Sequence, residues 1–143
     1  MTRSVDIDFT FDDPLDVPAT VHTLMRAGMK PTPEGELTYL IDEDGMFEWQ
    51  RAPVCRRDEI ISSMGGGHWK DRTVGITLLF PDGERGGDLL FHPGRRSLSY
   101  VIGVNPKPLP GSTKFCDMGW YLTQLVPLLE ALGLSEVETR DSP

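Results

Sequence analysis

Apolar and polar residues alternate one for one from Ser4 to Phe11: Val5, Ile7, Phe9 and Phe11 fall on one side, Asp6, Asp8 and Thr10 on the other. A period of two is that of a strand with one buried face. Asp12-Asp13-Pro14 interrupts it, and the period then lengthens, so that Val17, Val21, Leu24 and Met25 share one face at helical spacing. Asp16 is placed to cap this helix by accepting an N–H of the first turn, and Pro18 sits where its missing N–H costs nothing. Gly28 supplies the stop. Lys30 to Gly35, with two prolines, reads as a loop.

Glu36 to Arg51 has the pattern of a β-hairpin. Leu37, Tyr39 and Ile41 alternate, Asp42-Glu43-Asp44-Gly45 supplies the turn, and Phe47 and Trp49 alternate on the return strand. The alternation predicts Tyr39 and Trp49 on one side of the hairpin, Leu40 and Met46 on the other. Pro53 closes it. Arg56 to Met64 is predicted as a short helix with Ile60, Ile61 and Met64 as its apolar side, ended by Gly65-Gly66-Gly67. Three strands follow, Thr73–Phe80, Gly87–Phe91 and Ser97–Val104, joined by short polar links that make an antiparallel meander. A proline-rich loop from Asn105 to Phe115 leads to a strongly apolar helix capped by Asp117 and running to about Leu132, with Pro127 inside it as an expected kink. Leu134 to Arg140 reads as a last short strand or an ordered tail.

The predicted order is β-α-β-β-α-β-β-β-α-(β). Short links dominate and few connections are long enough for a parallel crossover. That makes residues 1–143 a single α+β domain, with an antiparallel-rich or mixed sheet and helices packed mainly on one face. A hydrophobic fraction of 38% with Gly 15 and Pro 12 fits a folded chain with generous loops, because apolar clusters recur along its whole length. No apolar stretch approaches the roughly 20 residues of a membrane span, and Met1 to Asp8 has no secretory pattern. Two cysteines, Cys55 and Cys116, are too few for a disulfide scaffold. A cytoplasmic protein is expected.

Charge adds a partner class. The net charge of −8 opposes a general affinity for nucleic acid. It is also uneven: residues 1–50 hold 11 acids and 3 bases (net −8), residues 51–116 hold 6 acids and 10 bases (net +4), and residues 117–143 hold 5 acids and 1 base (net −4). An acidic N-terminal region suits a basic partner.

Candidate chemistry is sparse. Gly65-Gly66-Gly67-His68-Trp69 is the most unusual local sequence, and it places a polar-aromatic pair at the edge of whatever cleft the fold has. It is neither a P-loop nor a dinucleotide fingerprint, since the residues that complete those motifs do not follow. His22, His68 and His92 have no metal-ligand spacing, so neither a metal nor a cofactor is expected. Cys55 precedes Arg56 and Arg57 at a helix start, where a thiolate would be favoured. Arg95 and Arg96 on one hairpin, with Arg85 on another, form a candidate anion patch.

Three functional expectations follow. The first is a non-catalytic binding protein, an acidic inhibitor or immunity-type partner of a basic protein, using Asp42, Glu43, Asp44, Tyr39, Trp49, His68 and Trp69. The second is a small enzyme using His68 or Cys55 near the Gly65–Gly67 loop. The third is an anion or small-ligand binder using Arg95 and Arg96.

Overall fold

A computed structural model describes residues 4–31 and 35–143; of the predicted loop from Lys30 to Gly35, residues 32–34 lie outside the described residues. Seven strands form one antiparallel sheet in the order β3-β2-β4-β5-β6-β1-β7. They are β1 Ser4–Phe11, β2 Glu36–Ile41, β3 Gln50–Pro53, β4 Val74–Leu79, β5 Gly86–Phe91, β6 Ser97–Val104 and β7 Leu134–Ser142. The helices are α1 Val17–Arg26, α2 Arg57–Met64 and α3 Met118–Glu130, with a short 3-10 turn, Val54–Arg56, leading into α2. The α+β class, the antiparallel sheet and the placement of the helices on one face agree with the sequence reading. No described helix is long and apolar enough to cross a membrane.

Local rules explain most of this. β1 alternates buried and half-buried residues along its whole length. The Asp16 carboxylate accepts the Ala19 N–H at 2.9 Å and caps α1, whose Val17, Thr20, Val21 and Leu24 form the buried stripe. Gly28 leaves the helix at φ +106°, a conformation that glycine adopts without a Cβ clash. α3 buries Tyr121, Leu125 and Leu129, one turn apart, while Pro127 faces solvent. Phe80 anchors the junction of helix and sheet, its ring edge-on to Tyr100, Trp120 and Tyr121 at 4.9–5.6 Å between centroids.

The core lies between the helices and one face of the sheet, where Ile7, Phe9, Ile76, Leu78, Leu89, Phe91 and Tyr100 are buried. The Tyr100 hydroxyl donates to the Leu78 carbonyl at 2.8 Å, so this deeply placed phenol keeps its proton, and burial drives its pKa well above the ordinary value. On the opposite face the same strands carry Asp6, Asp8, Thr77, Asp88 and Ser99.

The hairpin departs from expectation. The return strand begins at Gln50, not before Phe47, so residues 42–49 form a loop rather than a turn plus strand. The cause is visible in its hydrogen bonds. Asp42 turns inward, 6% exposed, and its carboxylate accepts the Phe47 N–H at 3.2 Å; the Asp44 carboxylate accepts the Met46 N–H at 3.0 Å. Local side-chain acceptors thus take the N–H groups that a strand ladder would have used. The last element takes the strand alternative and runs two residues further than expected: Leu134–Ser142 is an edge strand paired with β1.

Candidate functional site

The register aligns Ile41, Val74, Phe91, Leu98 and Phe9 in one row near one end of the sheet. Four connections emerge there: residues 12–16, 42–49, 65–73 and 92–96. This end holds nearly every residue of the predicted sites.

The 42–49 loop is the most exposed apolar feature. Met46 is 67% exposed, Phe47 53% and Trp49 36%. Glu43, Asp44 and Glu48 of the same loop are exposed and line one small depression with Ile41 and Gln50. Gly45 has φ +80°, which costs glycine little. Phe47 has φ +53°, left-handed backbone that a bulky residue adopts at a cost of about 1–2 kcal/mol. More than half of its surface stays in water.

Trp49 does not share a side with Tyr39. The register Leu40↔Gly75↔Leu90 places these three on the open face, and the Trp49 indole edge comes within 3.1 Å of where a Gly75 Cβ would stand. Trp49 therefore lies over a strip on the open face, helped by the missing side chain at Gly75, and Leu40 beneath is fully buried. Tyr39 faces the helices, donates its hydroxyl to Gln50 at 3.0 Å, and shares a shallow depression of about 200 Å³ with Glu43, Ile60 and Trp69. The structure thus brings Tyr39, Glu43 and Trp69 together. It sets Trp49 on the other side, and takes Asp42 out of the surface.

The Gly65–Gly67 segment lines a cleft of about 560 Å³, together with Pro14 to Pro18, Met64, Lys70, Asp71, Gly94 and Arg95. His68 is not among the lining residues; it is exposed and tilted against Trp69, ring centroids 4.3 Å apart. Cys55 is exposed in the 3-10 turn and Cys116 is buried. Among the described residues no group of three His, Cys, Asp or Glu side chains converges as a metal site.

The arginine patch does not assemble. Successive hairpin turns of a meander lie at opposite ends, so Arg85, in the β4–β5 turn beside Asp82, is remote from Arg95 and Arg96 in the β5–β6 turn. Arg95 is 6% exposed, and its guanidinium donates to the carbonyls of Arg72, Trp69, Phe91 and His92 at 2.6–3.3 Å. Desolvation lowers its pKa, partly offset by the Asp71 charge. Arg96 is exposed and donates to the Asp12 carbonyl at 2.8 Å.

One constellation escaped the sequence reading. On the open face His92 Nε2 lies 2.6 Å from Ser99 Oγ, which donates to Asp8 Oδ1 at 2.6 Å. Ser99 has one proton. Since a carboxylate only accepts, that proton goes to Asp8 and His92 must donate from Nε2. A nucleophilic serine needs the imidazole between itself and the carboxylate, to take its proton. Here serine occupies the middle, so the chain of bonds ties strands β1 and β6 to the β5–β6 turn rather than activating Ser99. Its members are 91 and 7 residues apart in sequence, which left only the polar alternation of β1 as a signal.

Comparison with protein-family models, curated proteins and solved structures gives no match.

Proposed function

We propose that the protein acts by binding, without catalysis, and that the 42–49 loop is the contact element for a basic protein, in the manner of an acidic inhibitor or immunity-type partner. The observation that carries this reading is Phe47: a bulky aromatic held in left-handed backbone with more than half of its surface in water. Strained backbone clusters at functional positions. Met46 and Trp49 add exposed apolar surface on the same loop, which also carries the exposed carboxylates Glu43, Asp44 and Glu48. Exposed aromatics of this kind anchor interfaces, while surrounding carboxylates steer a basic surface into contact and raise the association rate.

Two variants separate these roles. Glu43→Gln/Asp44→Asn/Glu48→Gln should slow association and weaken its salt dependence, leaving dissociation nearly unchanged. Asp42 is left intact because its carboxylate holds the loop. Met46→Ser/Phe47→Ser should speed dissociation. Affinity capture from native cell extract with all three proteins, followed by identification of what is retained, is the experiment. Retention of a basic protein by the wild type and its loss from the apolar variant supports the proposal. Equal retention by all three, or only acidic proteins retained, contradicts it. Turnover of a small substrate by the purified protein would favour the enzyme expectation.

A further inference from the structure

The cleft beside α1 is separate from the 42–49 loop. Both lie at the same end of the sheet, but the cleft is walled by α1 and the end of α2, whereas Trp49 lies on the open face. Its volume of about 560 Å³ falls within the range of small-molecule sites. Pro14, Leu15, Val17, Pro18 and Met64 give it an apolar wall, and Gly65 to Gly67 with Gly94 give it a wall of bare backbone.

Its charges are not equally engaged. The Asp16 carboxylate is used in capping α1. Lys70 is exposed, and among the described residues its ammonium forms no ion pair. Arg95 is nine-tenths buried, yet its partners are neutral carbonyls on Nη1 and Nη2, and among the described residues no group accepts from Nε. Arg95 forms part of the cleft wall, close to Lys70. Asp71 offsets part of this positive charge from the same rim. A guanidinium in the wall of a cleft offers directed bonds to a carboxylate or phosphate, and a nearby ammonium adds a point charge.

We propose that this cleft binds a small organic anion, its carboxylate or phosphate head on Arg95 and Lys70 and its apolar body against Pro14, Leu15, Pro18 and Met64. The site is independent of the binding role of the loop. Titration of the full chain with 3-phenylpropionate, phenyl phosphate and the neutral 3-phenylpropanamide, followed by amide NMR, tests it. Saturable shifts centred on Gly65, Gly66, Gly67 and Gly94 are expected with one or both anions, and binding about tenfold weaker for the amide. The anion that binds identifies the head group. Lys70→Glu should weaken the anion by about tenfold with an unchanged melting temperature, since Lys70 is exposed and in no ion pair among the described residues. Arg95→Lys, checked for folding by the same spectra, should do likewise if it folds. No saturation with either anion, equal binding of the amide, or anion binding unchanged in Lys70→Glu would overturn the proposal.

Discussion

The two faces of the sheet are made by alternate residues of the same strands. On the helix side, Ile7, Phe9, Ile76, Leu78, Leu89 and Tyr100 are removed from water and packed under α1, α2 and α3. On the open side, the intervening positions form polar cross-strand pairs: Thr77 with Asp88 at 2.7 Å, Ser99 with Asp8 at 2.6 Å, and Asp6 with Arg140 at 3.0 Å. The first face supplies the hydrophobic driving force, which scales with apolar area removed from water. The second contributes register, because a slip of one residue would bury these polar groups and expose the core set. The apolar strip Leu40–Gly75–Leu90 breaks the second pattern, and there Trp49 provides the cover.

The largest expected effect is on the helix side. Leu125→Ala removes a side chain that is buried between α3 and the sheet, and should cost about 2–5 kcal/mol in urea unfolding. A loss below about 0.5 kcal/mol would place Leu125 outside the core. Next comes the contact between central strands. A Cβ at Gly87 would collide with the Val101 carbonyl on β6, at a shift in register, so Gly87→Ala should cost about 1–3 kcal/mol. Retention of full stability would show that the β5–β6 spacing is adjustable.

On the open face effects should be smaller. Ser99→Ala breaks both bonds of the His92–Ser99–Asp8 chain, and about 1 kcal/mol is expected by chemical denaturation because the groups left behind can meet water. A loss as large as that of Leu125→Ala would mean that the polar face carries as much stability as the core. Smallest is an acid-side effect at the far end of the sheet. Asp82 accepts the Glu84 and Arg85 N–H groups at 2.8 and 3.1 Å, which lowers its pKa. A lowered folded pKa gives stability that is fully present above the ordinary aspartate value, about 3.9, and is lost as pH falls through the folded value. Asp82→Asn should flatten the stability–pH curve in that acid window and leave it parallel to wild type above it. An unchanged acid limb would remove Asp82 from the account.

How much of this was legible in the chain depended on the range of the interactions. The strand Ser4–Phe11, the Asp16 cap, the Gly28 stop and the Asp117-capped helix follow from contacts within a few residues, and all are present in the structure. The 42–49 loop was misread because alternation at Phe47 and Trp49 resembles a strand. The inward turn of Asp42, fixed by its N–H bond to the Thr73 carbonyl, has no local signature. The cleft joins residues from Pro14 to Arg95, and the tautomer-fixing chain through Ser99 joins two strands and a turn. Such constellations exist only once the register is set.

Phe47→Gly tests the central claim most directly, because it separates the two reasons a residue can be held in strained backbone. Glycine relieves the left-handed conformation but frees the unfolded chain, terms of about 1–2 and 0.4–1 kcal/mol of opposite sign. If Phe47 serves binding, unfolding stability stays level or rises by up to about 1 kcal/mol, while the basic protein retained by wild type dissociates at least about tenfold faster. If instead stability falls by more than about 1 kcal/mol and the partner is held as before, Phe47 is a structural residue of the loop and the proposed contact element is wrong.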